Sequence, residues 1–489
     1  MADEAHTIRA INWRDVFPFT HLFRAFRIAV HPSKLLLALA ALLLIYLGGR
    51  VLDGFWPDKY KPLGLEDVHE YVRLARMPDG VIAPEVVFSG DVARQGIFIT
   101  FFEYEVGQVN SIVFNAISLD WYRTFDGIWN FLFGGPRWLF HRHPLFAVLF
   151  TAWFLLIWSV FGGAVSRIAA VHVARDEKIS VRQALRFSIS KVLSFLFAPL
   201  IPLLIILVIG VIVAAVGWLL MTIKVVGPII LGVVFFLALL AGFIMTLVAL
   251  GTIGGFNLMF PTVAVEGSDS FDAISRSFSY VFARPWRMLW YTLVALVYGG
   301  IAYLFVRFFI FCMLSLTHFF VGWWLGPKAR TYWDTTNAVW PPPRWENLTY
   351  NVQYGQLKWS EDFAAGAVSF WVYLTVGLLG AFAISFYFSA NTIIYYLMRR
   401  EVDATELDDV YVEETEDEFG DAGPAAGTGG GKDDDRPTLA GGPTTGAPGA
   451  GQVAEGPAGG ARAYGGPEGE TTSGAAGTGG TPPGGAPTL

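Results

Sequence analysis

The sequence predicts an all-α, polytopic membrane protein with about six transmembrane helices, interfacial amphipathic helices and a disordered tail. Three observations support this class. The chain of 489 residues is 54% hydrophobic and only 15% charged, whereas soluble domains carry about 25% charged residues. Six stretches approach the roughly 20 apolar residues that a helix needs to cross a bilayer. Residues 401–489 differ from the rest, with 17 acidic and 3 basic residues.

The six predicted spans contain no Asp, Glu or Lys, which are costly inside a bilayer. Arg50 lies at the outer end of the first span, where we expect its guanidinium to extend to the interface. The third span contains Pro199 and Pro202 near one end, where a kink is tolerated. Together with their connections, the spans form a membrane domain at residues 35–400. We place them at residues 35–51, 145–165, 195–220, 229–253, 289–306 and 368–390.

Basic residues concentrate in alternate flanks of these spans. Cytoplasmic flanks carry an excess of Lys and Arg, and the short connection between the third and fourth spans holds only Lys224. The pattern predicts that the amphipathic segment 1–34 and both termini are cytoplasmic, in a bacterial-type inner membrane. The basic flanks contain Arg9, Arg14, Arg24, Arg27 and Lys34, then Arg167, Arg175, Lys178, Arg182, Arg186 and Lys191, then Arg276, Arg284 and Arg287, and finally Arg399 and Arg400.

Two longer segments, residues 53–143 and 307–361, are then expected on the non-cytoplasmic side. The first contains an apolar helical face at residues 109–117 and an aromatic one at residues 121–132. Such helices lie in the outer interface of the bilayer or pack on the bundle, and the pattern leaves both open. The second segment is rich in Trp and contains three consecutive prolines at residues 341–343. It predicts an interfacial, partly re-entrant loop with an aromatic belt.

The expected cytoplasmic connections contain a repeated hairpin. In each copy, the end of a span leads to an acidic residue, Asp176 or Glu266, and then to a short amphipathic helix with the pattern Ala-x-x-x-Ser-x-Ser. A truncated third copy begins at Asn391. We expect these helices to lie at the inner leaflet, where their basic side chains meet anionic head groups. The patterned positions are Ala184, Ser188 and Ser190 in the first copy, and Ala273, Ser277 and Ser279 in the second.

The second copy also resembles a known family. Its residues 261–278, PTVAVEGSDSFDAISRSF, are followed by Trp286 and a hydrophobic span. This run is similar to the membrane domain of some bacterial glycerophosphodiester phosphodiesterases and to related stand-alone inner-membrane proteins, and the similarity continues more weakly over residues 160–300. The resemblance implies a helical membrane domain. It does not imply phosphodiesterase activity, because the family's catalytic barrel is a separate soluble domain for which this chain has no room.

Three polar residues near span ends are candidate functional positions. Asn257 and Asn391 occupy matching repeat positions, where we expect helix–helix hydrogen bonds; lining a polar path is the alternative. Arg307, at the outer end of the fifth span, is expected to extend its guanidinium to the interface. A charge within a span is also typical of a functional site.

Candidate catalytic and metal-binding residues lie on the non-cytoplasmic side. Glu103 and Glu105 form a carboxylate pair, but residues at i and i+2 face the same side only in a strand, and a solvated edge explains them equally well. His141 and His143 have no acidic or Cys cluster nearby, so an interfacial flank is the better interpretation. We therefore predict no catalytic, cofactor-binding or metal site.

The tail has two parts. Residues 401–421 are densely acidic, and an extension of the last helix by a few turns is compatible with them. From residue 422 onward Gly, Pro, Ala and Thr dominate, and such a sequence buries too little apolar surface to offset its ordering entropy. We expect a flexible cytoplasmic arm.

The first functional hypothesis is a non-enzymatic scaffold that organises membrane lipids or an unidentified protein partner through its amphipathic helices and acidic tail. A transporter or channel is the alternative, because repeated hairpins also occur in transporters. A membrane-embedded enzyme is the third. The net charge of −7 argues against a nucleic-acid partner.

Overall fold

The computed structural model describes residues 16–75, 94–323, 339–350 and 358–411, and all regular elements within them are helical. The predictions for residues 1–15, for residues 76–93 of the first long segment, for residues 324–338 and 351–357 of the second, and for the tail from residue 412 onward lie outside these ranges. The α-helices are α1 Arg24–Ala29, α2 Pro32–Phe55, α3 Leu65–Leu74, α4 Ile97–Ile117, α5 Trp121–Trp129, α6 Gly135–Arg142, α7 Pro144–Ile157, α8 Gly163–Arg175, α9 Val181–Ser190, α10 Val192–Thr222, α11 Val226–Glu266, α12 Ser270–Ala283, α13 Pro285–Trp323 and α14 Trp359–Val402.

Six helical segments are long and apolar enough to cross a membrane, as the sequence predicts. They are α2, α7 with α8, α10, α11, α13 and α14. The second is one continuous rod, because a π-helical turn at Trp158–Gly162 joins α7 to α8. Several helices run past the predicted spans. α11 has 41 residues, so it rises about 60 Å, twice the ~30 Å thickness of a hydrocarbon core.

The main core lies at the end of the bundle where the chain enters α2 and leaves α14. We call it the terminal end; Lys34, Arg175, Glu266 and Val402 belong to it. α14 is its central element, since residues 388–399 are all buried. The helix packs there against α1, α2, α8, α11 and α12.

The α10–α11 hairpin stands apart from the rest of the bundle over most of its length. α10 buries only Phe195, Ala198, Pro199 and Pro202, and the first half of α11 buries only Gly227. The Leu, Val, Ile and Phe side chains between these positions are largely exposed. Exposing apolar side chains to lipid tails carries no free-energy penalty, because the tails are equally apolar. This surface therefore suits a membrane-spanning hairpin.

Candidate functional site: polar clusters at the ends of the bundle

A buried arginine in α8 joins three parts of the terminal end. Arg167 is only 6% exposed. Its guanidinium donates hydrogen bonds to the carbonyl oxygens of Ala264 at 2.8 Å and Tyr411 at 2.6 Å. It also lies over the ring of Phe187, 4.3 Å from the centroid. Arg167 therefore connects α8 to the end of α11, to the amphipathic helix α9 and to the chain beyond α14.

A second buried arginine, in α14, pairs with the acidic residue of the second repeat. Arg399 is also 6% exposed, and its Nε lies 2.8 Å from Oε1 of Glu266. The same carboxylate oxygen accepts a hydrogen bond from the Tyr395 hydroxyl at 2.9 Å. The Nη atoms of Arg399 donate to the Asp409 carboxylate at 2.6 Å and to its carbonyl oxygen at 2.8 Å. Buried charges need opposite charges and hydrogen bonds such as these to be tolerated.

The residues after α14 do not extend the helix; they fold back on the terminal end. We call residues 403–411 the strap. Ala404 takes a left-handed backbone conformation (φ 55°), which turns the chain away from the helix axis. The backbone N–H of Tyr411 donates to the Val265 carbonyl at 2.8 Å, and Val410 is buried. The first residues of the predicted tail are thus part of the folded body.

Glycine at one position makes room for the strap. Gly267 has φ +63°, and a Cβ added there would lie 2.6 Å from the ring of Tyr411. A further contact holds the start of the strap, because the Tyr280 hydroxyl donates to the carboxylate of Asp403. Backbone, aromatic and charged groups therefore all fix the strap in place.

The repeat positions are mainly packing positions. Ala184, Ser188, Ala273 and Ser277 are buried, whereas Ser190 and Ser279 are exposed. The Ser188 hydroxyl lies 2.9 Å from the Ser159 carbonyl oxygen and 2.6 Å from that of Val160, both in the π-helical turn. The Ser277 hydroxyl donates to the Ala273 carbonyl of its own helix at 2.6 Å. Small residues let α9 and α12 lie close against the spanning helices.

The two asparagines are placed differently. Asn257 accepts a hydrogen bond from the Tyr387 hydroxyl at 2.6 Å, so it joins α11 to α14. Asn391 is buried within α14, in the core of the terminal end.

A buried lysine is a feature that the sequence interpretation missed. Lys34, which was counted among the basic flank residues, lies in the first turns of α2 and is completely buried. Its Nζ donates to the Ser389 hydroxyl at 3.0 Å. His172 is buried nearby, with its ring 6.0 Å from that of His31. Burial lowers the pKa of His31, and the charges of Lys34 and Lys178 lower it further. The position of Lys34 directly before an apolar run was the only sequence signal of this burial.

At the opposite end, Arg307 does not reach the surface as expected. It is 3% exposed, because its guanidinium is enclosed by α4 and the segment 339–350. It donates to Asn110 Oδ1 at 3.1 Å and to the Trp345 carbonyl at 2.9 Å. Arg307 therefore connects α13 to α4 and to the segment 339–350 through hydrogen bonds.

The candidate catalytic glutamates both lie on α4, so their i, i+2 spacing points the side chains in different directions. Both carboxylate oxygens of Glu105 are buried without a hydrogen-bond partner in the described structure. Burial raises the pKa of Glu105 to about 8. His141 and His143 lie around the end of α6, and no group of three or more His, Cys, Asp or Glu that could hold a metal occurs among the described residues.

The aromatic helices of residues 97–142 expose much of their apolar surface. Trp121, Tyr122, Phe125 and Trp129 are each more than half exposed, whereas Asn115 is buried. This exposure suits placement in an interface. Other residues of the same region pack on the bundle, because Phe98 of α4 and Trp138 of α6 are buried in one apolar cluster with α2 and α7. The structure therefore shows packing at one part of the region and exposed aromatic surface at another.

The chain was compared with protein-family models, curated proteins and solved structures. No protein-family model matches the chain, and no curated protein or solved structure matches it.

Proposed function

We propose that the protein is a non-enzymatic membrane scaffold that holds an acidic arm at a fixed place on its cytoplasmic face. The observation that carries this proposal is the strap. Residues 403–411 are bound to the bundle through two buried arginines, Arg167 and Arg399. The chain is therefore held as far as Tyr411, beside the two repeated hairpins, and the acidic tail follows directly after this residue.

Attaching the strap through buried arginines costs free energy. Each buried guanidinium must give up its hydration, which costs several kcal/mol unless hydrogen bonds and opposite charges offset it. A tail that serves only to keep the protein soluble needs no such anchor. The strap fixes the point at which the acidic arm begins, so a basic partner bound at this end of the bundle lies near the first charges of the arm. Attraction between exposed charges acts over about 10 Å. Residues 412–489 contain 12 acidic and 3 basic residues.

Two further predictions belong to this proposal: that the terminal end faces the cytoplasm, and that the membrane is the plasma membrane. Lys and Arg at the terminal end predict that this end is cytoplasmic, and the resemblance to bacterial inner-membrane proteins supports a plasma-membrane location. These assignments, and that resemblance, stay predictions.

The test is chemical crosslinking in native membranes, followed by affinity purification of three forms of the protein. These are the full chain, a chain ending at residue 411, and a full chain with acidic residues 413–421 changed to Asn or Gln. We expect the full chain to capture the same basic protein repeatedly, with retention that falls as salt is raised. The other two forms should lose it. Equal capture by the chain ending at residue 411 would contradict the proposal.

A transporter is the second candidate, and one observation favours it. Lys34 is an ionisable residue buried among helices α2, α8 and α14, and such residues are often functional in membrane proteins. In proteoliposomes with a pH gradient and an enclosed pH-sensitive dye, a transporter that uses this group would carry protons, and Lys34→Met would stop the flux. The scaffold proposal predicts no flux above that of protein-free vesicles.

A further inference from the structure

The helix α4 starts beside the end of α2 and then runs back along it. The carboxylate of Asp53, in the last turn of α2, accepts a hydrogen bond from the backbone N–H of Phe98 at 2.8 Å, which fixes the start of α4. One turn further along α4, the ring of Phe102 lies 5.4 Å from the ring of Tyr46, measured between centroids. Tyr46 lies nine residues before the end of α2 at Phe55, which is about 14 Å along the helix axis. α4 therefore lies beside a spanning helix and does not lead away from it.

The second half of α4 meets another spanning helix. Asn110 Oδ1 accepts hydrogen bonds from both Nη atoms of Arg307 at 3.1 Å. Arg307 lies within the candidate span Pro285–Val321, 14 residues before its end, which is about 21 Å along the axis. The contacts with α2 and α13 thus place α4 at the level of the spanning helices and not beyond their ends.

The helices α5 and α6 return antiparallel to α4, and we call residues 97–142 the α4–α6 hairpin. Two glycines allow the helices to lie close together. A Cβ on Gly127 would lie 2.8 Å from Cγ1 of Ile112, and a Cβ on Gly135 would overlap the carboxylate of Glu105. Because all three elements are helical, most of their backbone groups are bonded within the helices, which is the condition for entering a bilayer.

The side of α5 that faces away from α4 is aromatic and exposed. Tyr122 is 82% exposed and Phe125 is 67% exposed, and the rings of Trp121 and Trp129 are also largely exposed. Gly127, on the side that packs against α4, is buried. Large contiguous apolar surfaces of this kind mark sites of protein or membrane interaction.

The position of this face favours lipid as its occupant. At the level of the spanning helices, a surface that faces away from the bundle meets acyl chains, and Trp and Tyr are enriched where these chains meet the headgroups. The charged residue on this stretch of α5 also fits such a position. Arg123 pairs with Asp120, with its Nε 3.5 Å from Oδ2, and its long side chain reaches toward the headgroups while its stem lies along apolar surface.

We propose that the α4–α6 hairpin is re-entrant and buries the aromatic face of α5 in one leaflet, the leaflet farther from the terminal end. Tyr122 and Phe125 contact acyl chains just below the headgroups, and Arg123 extends back to the headgroup level. The hairpin then takes up area in one leaflet only. The inference requires only that the chain spans a membrane, so it stands independently of the scaffold proposal.

The test measures how deeply labelled positions lie in the bilayer. In a Cys312→Ser background, which removes the one cysteine, Phe125→Cys and Arg123→Cys each carry a nitroxide spin label. The full chain is reconstituted into phosphatidylcholine vesicles. Power-saturation electron paramagnetic resonance then compares collisions of the label with oxygen, which concentrates among acyl chains, and with a water-soluble nickel chelate. We expect the ratio of oxygen to nickel collisions to be several-fold higher at Phe125→Cys than at Arg123→Cys.

Two further exposed positions calibrate this ratio. Leu237→Cys, on the apolar surface of α11, gives the value for a lipid-facing label, and Tyr60→Cys, before α3, gives the value for a label in water. We expect Phe125→Cys to lie closer to Leu237→Cys. All four positions are exposed, so the substitutions leave the buried core unchanged.

A second measurement uses the unaltered protein. Phosphatidylcholine with a photoactivatable group in its acyl chain is irradiated in the reconstituted vesicles, and the crosslinked peptides are identified by mass spectrometry. Peptides that cover α5 should carry lipid, as should those of α11. Peptides that cover α3 should carry little.

Two results would overturn the proposal. A collision ratio at Phe125→Cys equal to that at Tyr60→Cys would place the aromatic face in water. Few collisions with either reagent, together with α5 peptides free of lipid, would mean that protein covers this face, either another part of this chain or a second copy.

Discussion

Arg399 lies where three segments of the chain meet, and its side chain contacts all of them. Its guanidinium forms ion pairs with Glu266 at the end of α11 and with Asp409 in the strap. Removing the arginine leaves the Glu266 carboxylate, which is 15% exposed, with two partners among the described residues: the Tyr395 hydroxyl and a more distant Arg276, 3.8 Å away. The net worth of such a pair is small, but the penalty for breaking it on one side is large.

We predict that Arg399→Gln destabilises the protein by about 3–5 kcal/mol. Thermal unfolding in detergent measures this, with Arg175→Gln, an exposed arginine at the same end, as the control. In the double variant Arg399→Gln with Glu266→Gln, the loss should be smaller than the sum of the two single losses. Additive losses would contradict the pairing.

Glu105 is a second residue whose environment has a measurable consequence. Its carboxyl group is buried in α4 without a hydrogen-bond partner among the described residues, which raises its pKa from 4.5 to about 8. The folded protein therefore holds a proton that the unfolded chain releases. Stability linked to this group is present below the unfolded pKa and is lost as the pH rises toward the folded value.

We predict that Glu105→Gln leaves the unfolding midpoint little changed near pH 5 and raises it by a few degrees near pH 9, because the glutamine does not ionise. The comparison is a thermal melt of both proteins at each pH. Glu103→Gln, at a less buried carboxyl group of the same helix, should give a smaller difference. A pH-independent difference for Glu105→Gln would show that its carboxyl group does not titrate in this range.

At the scale of elements, the π-helical turn and α9 depend on each other. A π-helical turn leaves backbone carbonyl groups poorly paired, and the hydroxyl of Ser188 lies within hydrogen-bonding distance of two of them, at Ser159 and Val160. The Ala-x-x-x-Ser pattern was visible in the sequence, and so was its likeness between the two copies. The turn was not visible, because nothing in Trp158–Gly162 departs from an ordinary apolar helix.

Ser188→Ala should therefore destabilise the protein by about 1–3 kcal/mol, the cost of leaving buried carbonyl groups unpaired. Ser190→Ala is the matched control, since Ser190 is two residues away and exposed, and its hydroxyl donates to the Phe187 carbonyl of its own helix. Its effect should be within about 0.5 kcal/mol. The two variants are compared by thermal unfolding in the same detergent, and equal effects would contradict the role assigned to Ser188.

At the scale of the whole molecule, span number and helical class could be predicted because a bilayer forces long, internally bonded apolar helices. The sequence could not predict which of the basic flank residues are buried. Arg167 and Tyr411 are 244 positions apart, and their contact depends on how the strap crosses the ends of α8 and α11. The residues next to Arg167, Lys34 and Arg399 in the sequence do not distinguish them from Arg175. In the fold, however, these three side chains are buried and that of Arg175 is exposed.

The orientation predicted from the basic flanks can be tested by cysteine labelling. The chain has one cysteine, Cys312, so Cys312→Ser provides a cysteine-free background for Tyr60→Cys, Lys224→Cys and Glu177→Cys, all at exposed positions. In intact cells, a membrane-impermeant maleimide should label the first two. Glu177→Cys should react only after permeabilisation, and the reverse pattern would overturn the orientation.

The central claim is that the acidic arm is anchored to the bundle through the strap, and hydrogen exchange tests it most directly. The Tyr411 amide bonds to Val265, so peptides covering residues 403–411 should exchange much more slowly than peptides from the tail beyond them. Gly267→Ala and Arg399→Gln should each remove this protection while leaving the peptides of α10 unchanged. Exchange of residues 403–411 as fast as that of the tail in the unaltered protein would contradict the account.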